Sequence, residues 1–239
     1  MKNLLIAPFR NKAKQEVADL FIYGDIGPYD DYGQVSAKGV VTALKEIGSV
    51  SNLNVRINSV GGDVFEGIAI YQLLSQHPAN ITVQIDSVAA SIASIIAMAG
   101  KKVKIADNGT LMIHNPTRGA YGDEHEFARA LKMLQGAKAT LVDTYRRRVT
   151  PDRDKISAWM HDATWFSPSE AKKHGFVDEI VDTGVDKGEP AEMDNRSIVL
   201  LAGYKKTPKS LLPDKHLAAK AKIASMVMMS RFGGQSANA

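Results

Sequence analysis

The sequence predicts an α/β fold made of repeated strand and helix units. Three short segments alternate apolar and polar residues with a period of two, which is the pattern of half-buried strands; they span residues 53–57, 81–85 and 111–113. Apolar residues at i, i+4 and i+7 predict amphipathic helices at residues 40–47 and 64–71. Strands that alternate with helices are typical of a mainly parallel sheet.

A long helix is predicted between Asp123 and Pro151. Apolar side chains recur at helical spacing over residues 127–145, acidic residues stand at the positive N-terminal end, and the proline stops the helix. A further helix is predicted to begin at residues 167–170, because Ser-Pro-Ser-Glu is a capping box with proline at the first helical position. Gly175 is placed to end that helix.

Ser91 lies where a predicted strand turns into an apolar helix, within the small-residue run 86–100. A serine at such a turn is held away from the backbone among helix N–H groups, which suits a nucleophile. His114 ends a short strand 23 residues later, two residues before a proline that must stop the strand. Neutral histidine can take the serine proton, so the pair indicates acyl transfer. When each residue is considered separately, the simpler interpretation of Ser91 is a helix cap and that of His114 is a histidine hydrogen-bonded for packing.

A third motif leads from a strand into the double glycine Gly61-Gly62. It combines with Ala89-Ala90-Ser91, with Met112-Ile113-His114-Asn115-Pro116 and with the motif at residues 167–178. In order and spacing these motifs resemble the Clp protease proteolytic subunit family, which are self-compartmentalised serine peptidases. The resemblance covers roughly residues 15 to 182. The Trp-Phe-Ser-Pro-Ser-Glu-Ala form of residues 165–171, with the long tail, is most similar to relatives coded by phages and prophages, several of which are prohead proteases.

The resemblance implies both a fold and a site. The fold is a spiral of ββα units shared with the crotonase superfamily, with the long helix projecting as a handle between subunits and a C-terminal extension. Ser91 is then the nucleophile and His114 the base. The N–H groups of Gly62 and Ile92 form the oxyanion hole that stabilises the tetrahedral intermediate. A tight strand-to-helix turn is the simpler interpretation of Gly61-Gly62, and the two interpretations are compatible.

The third catalytic residue departs from the family pattern. When residues 164–167 are aligned on the family motif, Ala163 stands where the aspartate is expected, and Asp162 is one residue early. We predict that a shift of the loop brings Asp162 to His114. Asp154 and Asp152 are alternatives, with helix capping as their simpler role. A further alternative is that a backbone carbonyl or a water molecule orients the imidazole, in which case turnover is low.

Composition excludes several classes of chemistry. The chain of 239 residues has no cysteine, which rules out a thiol nucleophile, disulfides and thiolate metal ligands. There is no His-Glu-x-x-His motif, dinucleotide-binding fingerprint or phosphate loop, so no metal or cofactor is expected. No stretch approaches the roughly 18 apolar residues of a membrane span, and the N-terminal apolar patch is too short for a signal peptide. A cytoplasmic protein of a bacterium, or of a phage-infected bacterial cell, is expected.

The charge distribution divides the chain into two parts. Residues 201–239 hold seven Lys and Arg residues against one Asp, whereas the rest of the chain is nearly neutral and the net charge is +4. A polar, turn-rich linker follows Asp182, a short strand is predicted at residues 197–202, and a methionine-rich helix at residues 214–231. We therefore predict a protease domain at residues 1–182 and a linker with a basic, Met-rich C-terminal extension at residues 183–239.

These features predict a serine endopeptidase that works in a homo-oligomeric ring on unfolded or confined protein chains. The expected partners are an AAA+ unfoldase, or capsid and portal proteins of a prohead. A membrane is not an expected partner. Nucleic acid is not expected either, because the basic tail lacks the aromatic interleaving of a nucleic-acid site. Two other functions are compatible with the sequence. One is a crotonase-type acyl-CoA enzyme, and the other is a shell or scaffold subunit that has lost its activity.

Overall fold

The computed structural model describes residues 17–29, 33–184 and 195–212. The strands are β1 (Val17–Tyr23), β2 (Asn52–Ser59), β3 (Asn80–Ala90), β4 (Lys102–Ala106), β5 (Thr110–Ile113), β6 (Thr164–Phe166) and β7 (Glu179–Val181). The helices are α1 (Ala37–Ile47), α2 (Val64–Ser75), α3 (Ile92–Ala97), α4 (Glu124–Arg146), α5 (Arg153–Asp162), α6 (Pro168–Lys173) and α7 (Asn195–Gly203), followed by a 3₁₀ turn at Lys209–Leu211. The predicted α/β class is confirmed.

Strand β3 organises the sheet. The main path runs β1-β2-β3-β4-β7 with every pair parallel. The 11-residue β3 is long enough for two partners along one edge, so its first half pairs with β4 and its last three residues pair with β5. Strand β6 then pairs antiparallel with β5. The short layer β3-β5-β6 therefore extends from the carboxyl end of β3, where the candidate site lies.

The strands are fixed by a continuous apolar core. Inward residues of β2 and β3, such as Leu53, Val55, Val83 and Ile85, are fully buried in one cluster with residues of α2 and α3. The three segments predicted as strands are confirmed within β2, β3 and β5. The short strands β1, β4, β6 and β7 were not predicted, because three to seven residues carry little periodicity of their own.

Helix α4 is confirmed as the long helix that follows Asp123. The Asp123 side chain accepts hydrogen bonds from the N–H groups of His125 and Glu126 and so caps the helix. The buried residues of α4 all lie in its last turns, from Leu141 to Tyr145. The first half of the helix therefore projects beyond the domain and carries exposed apolar side chains, including Phe127 and Leu131.

The segment predicted as a strand at residues 197–202 is a helix instead, since α7 spans Asn195–Gly203. A short apolar run fits either structure by periodicity, and tertiary packing decides between them. Here the helical form places Leu201 in an apolar cluster at the end of the sheet. The methionine-rich helix predicted at residues 214–231 lies outside the described residues. Within the described ranges, no helix is long and apolar enough to cross a membrane.

Candidate active site

Three neighbouring strands end together at one edge of the sheet. Ser59 of β2 is paired with Ala89 of β3, and Ala90 of β3 is paired with Met112 of β5. Parallel strands place their carboxyl ends on the same edge, so the segments that follow β2, β3 and β5 meet there. These segments are the double-glycine turn, Ser91 and His114. The sheet thus brings the three predicted motifs together.

The Ser91 side chain faces the imidazole of His114. The distance between Ser91 Oγ and His114 Nε2 is 2.7 Å, which is hydrogen-bond distance. The Ser91 N–H donates to the carbonyl of Met112 at 2.9 Å, so the two strands hold the serine and histidine segments in register. Ser91, at the start of α3, therefore directs its hydroxyl to His114. Its side chain makes no capping hydrogen bond to the helix.

The backbone of Ser91 is strained. Its φ of 55° and ψ of −128° lie in a region that side-chain-bearing residues rarely adopt, at a cost of about 1–3 kcal/mol. The buried hydroxyl of Ser94 helps to hold this turn, because it donates to the Ser91 carbonyl at 2.5 Å and lies 2.7 Å from the hydroxyl of Tyr145. The strained turn is therefore anchored to α4 through two hydroxyl groups.

The double-glycine turn packs directly against Ser91. A Cβ on Gly61 would lie 2.7 Å from both the Ala90 carbonyl and the Ser91 Cβ, so only glycine permits this approach. A Cβ on Gly62, whose φ is +146°, would overlap the carbonyl of Ile26. The hydroxyl of Ser59 accepts the N–H of Gly61 at 3.1 Å and fixes the turn.

Two amide groups at this turn are open to a ligand. In the part of the chain that the structure describes, the N–H groups of Gly62 and Ile92 donate no hydrogen bond. Ile92 is the first residue of α3, where a free N–H and the positive end of the helix dipole favour negative charge. Gly62 lies in the turn that packs against Ser91, and Ile92 follows Ser91 in the chain, so both amides are candidates for an oxyanion hole.

His114 is held as a neutral base. Burial lowers the pKa of the imidazole from 6.5 to about 4. The imidazole therefore remains unprotonated at neutral pH and can accept the Ser91 proton.

The predicted role of Asp162 has no support in this geometry. Asp162 is the last residue of α5, its side chain is exposed, and none of the hydrogen bonds between described residues joins it to His114. Asp152 caps α5 by accepting the N–H of Lys155, which is its simpler role. Asp154 is exposed in the first turn of α5, in a small groove against α4. Within the described residues, the geometry therefore shows a serine–histidine pair without a carboxylate on the imidazole.

Ala163 is the residue that precedes β6, the strand next to β5. Strands β5 and β6 pair Met112 with Trp165 and Ile113 with Thr164, so His114 and Ala163 stand just beyond the last pair of this antiparallel ladder. Ala163 is buried and has a left-handed backbone conformation, with φ of 51° and ψ of 68°. The position that the family pattern assigns to an aspartate thus lies at the same end of the β5-β6 ladder as His114, but alanine supplies no acceptor.

Tyr204, in the tail, lies against the site, a contact that the sequence analysis missed. Its ring packs edge-on against the His114 ring at 4.8 Å between centroids, and its hydroxyl donates to the Val60 carbonyl at 2.7 Å. Burial raises the pKa of Tyr204 to about 12, and a hydrogen bond with Ser91 acts in the opposite direction. No motif marks this tyrosine, because its contacts depend on how the tail folds back.

Comparisons with known proteins identify the family of this chain. The Clp protease family model matches residues 15–184. The chain is 27% identical to an ATP-dependent Clp protease proteolytic subunit of Bacteroides fragilis over 154 residues, which is 64% of this chain and 74% of the relative. It is 30% identical to the subunit of that name from Deinococcus radiodurans over 132 residues, 54% of this chain and 65% of the relative. The mixed α/β fold with its parallel sheet is consistent with that family, and the chain belongs to the Clp protease family.

Proposed function

We propose that this protein is a serine endopeptidase of the Clp type, with Ser91 as nucleophile and His114 as general base. The observation that carries the proposal is the 2.7 Å contact between Ser91 Oγ and His114 Nε2 at the strained turn before α3. Family membership supports peptide hydrolysis as the reaction. A crotonase-type enzyme would instead place acidic groups over a thioester, and this geometry gives no reason to prefer it.

In the proposed mechanism Ser91 Oγ attacks the peptide carbonyl while His114 Nε2 takes the hydroxyl proton. The carbonyl oxygen becomes negatively charged and is stabilised by the N–H groups of Gly62 and Ile92. The histidine then gives its proton to the leaving amine, and an acyl-enzyme forms on Ser91. Water attacks that ester with His114 again acting as base, which releases the acid product and restores the serine.

A fluorophosphonate probe tests this assignment. The probe phosphonylates only an activated serine, so we expect one adduct per chain, mapped to Ser91 by peptide mass analysis. Ser87→Ala is a matched control, because Ser87 lies on β3 four residues away and labelling should be unchanged. The probe is also applied to Tyr204→Ala, which removes the ring that packs on His114. Absence of an adduct on Ser91 in both the native chain and this variant would contradict the proposal and favour a subunit retained for assembly alone.

We further propose that the enzyme works in a homo-oligomeric ring. The projecting half of α4 exposes Phe127 and Leu131, each more than half accessible, on a helix that leaves the domain. Exposed apolar side chains on such a projection favour contact with neighbouring subunits. Unfolded or confined protein chains are the proposed substrates, delivered by an AAA+ unfoldase or, in a phage prohead, present as capsid or portal proteins. A cytoplasmic location follows from this proposal.

The lowered pKa of His114 predicts an unusual titration of the resting protein. A base with a pKa of about 4 stays neutral well below the ordinary histidine value of 6.5. In the resting protein, with Tyr204 packed on the imidazole, we therefore expect the His114 ring signals followed by NMR to titrate with a midpoint near pH 4. Circular dichroism over the same range controls for unfolding. A midpoint near pH 6.5 would contradict the buried, neutral histidine.

A further inference from the structure

The tail segment 195–212 folds over the carboxyl ends of the sheet. Leu201 of α7 is fully buried in a cluster with Val60, Val88, Ala90 and Met112, the residues that precede the three site segments. Leu211 and Leu212 pack against the same cluster. The apolar surface beside the site is therefore covered by the protein's own chain.

Two hydrogen bonds fix this segment on opposite sides of the site. The Tyr204 hydroxyl donates to the Val60 carbonyl, directly after β2, and the indole N–H of Trp165 on β6 donates to the Lys205 carbonyl at 3.0 Å. The strand neighbours run β2-β3-β5-β6, so a link from the end of β2 to β6 crosses the ends of β3 and β5. Ser91 and His114 are the residues at those two ends.

Tyr204 occupies space that a substrate needs. Its ring lies on the His114 ring, and its hydroxyl engages the Val60 carbonyl one residue before the double-glycine turn. An extended peptide that presents its carbonyl to Gly62, Ile92 and Ser91 must pass between the His114 ring and the Val60 carbonyl, the two groups that Tyr204 contacts. The segment has its own internal support, because the Thr207 hydroxyl donates to the Leu201 and Tyr204 carbonyls at 2.7 Å and 3.1 Å.

We infer that residues 195–212 close the catalytic site in cis, and that this segment must leave the strand ends before a peptide chain can bind. The inference rests on the proposed peptidase function. Closure and substrate binding compete for one surface. The apparent affinity for substrate or probe is therefore the affinity of the open form multiplied by the fraction of molecules that are open. In the resting protein the catalytic site is thus covered by residues 195–212 of the same chain.

The test compares rates of Ser91 labelling by the fluorophosphonate in the full chain and in point variants. Tyr204→Ala removes the ring from His114, and Leu201→Asp places a charge in the apolar cluster and should release α7. We expect the second-order labelling rate to rise at least about tenfold in each variant. Lys209→Ala is the matched control, because Lys209 is an exposed residue of the same segment and its removal should leave the rate unchanged.

Steady-state hydrolysis provides a second measurement. Opening the segment should lower KM for a peptide substrate and leave kcat at saturation nearly unchanged, whereas a variant that merely damages the site lowers kcat. A synthetic peptide of residues 195–212 added to Leu201→Asp should slow labelling again. The same peptide with Leu201→Asp and Tyr204→Ala should not.

Labelling of folded Tyr204→Ala at the native rate would overturn the closure, even where Leu201→Asp fails to fold. The two proposals fail in different ways. If the native chain and the variants label equally fast, the peptidase assignment stands and the closure is wrong. If none of them carries an adduct on Ser91, the proposed function itself is contradicted.

Discussion

Replacing Ser91 by alanine should lower the rate of peptide hydrolysis by about 10⁴- to 10⁶-fold, and His114→Ala should lower it by a similar factor. Without Ser91 no acyl-enzyme forms, and without His114 the hydroxyl keeps its proton during attack. The two groups act as one unit, since Nε2 and Oγ are in direct contact at 2.7 Å. The double variant should therefore be no slower than either single variant. Initial rates with a fluorogenic peptide measure all three.

The controls for this experiment are available in the same chain. Ser87→Ala removes a hydroxyl from β3 without touching His114, so its activity should stay within about twofold of the native value. Circular dichroism and the oligomer size should be unchanged in Ser91→Ala, because the side chain contributes little apolar packing. Near-native hydrolysis by Ser91→Ala would assign the nucleophile elsewhere and refute the site.

Ala163→Asp should raise kcat by about 10²-fold or more, because it supplies the carboxylate that the imidazole lacks. Residue 163 and His114 stand just beyond the last pair of the β5-β6 ladder, and aspartate tolerates a left-handed backbone better than most residues do. A carboxylate beside the imidazole also favours the protonated form that develops during attack. The pKa of His114 should therefore rise from about 4.

Two variants separate this effect from other causes. Ala163→Asn has nearly the same size and backbone preference but carries no charge, so it should raise kcat much less and leave the pKa of His114 unchanged. Asp162→Asn should leave kcat within about twofold, since its exposed side chain does not reach His114. A loss of about 10²-fold or more in Asp162→Asn would instead restore the predicted role of that aspartate in the working enzyme.

The sequence was informative wherever a local pattern determines the geometry. Period-two alternation identified β2, β3 and β5, and those three strands alone bring Ser91, His114 and Gly62 to one edge. The capping box at Ser167 was also readable, because its two hydrogen bonds link residues three positions apart. These features depend on neighbours in the chain, which are visible in the sequence.

The sequence was less informative where distant segments decide the structure. Whether Asp162 reaches His114 depends on how α5 ends and enters β6, and the left-handed turn at Ala163 leaves Asp162 exposed. Residues 197–202 were assigned the wrong secondary structure, because helix α7 is stabilised by the apolar cluster around Leu201 at the end of the sheet. The contacts of Tyr204 depend on the same packing. Tertiary contacts of this kind leave no periodic signal.

The attachment of α7 to the rest of the chain determines what can displace it. Ten residues separate Gly184 from Asn195, and a segment tethered by so short a link has an effective concentration of about millimolar at its own site. That concentration does not change when the protein is diluted, so dilution does not activate the enzyme. A chain with the same affinity for the strand ends must reach a comparable local concentration to compete equally with the tail.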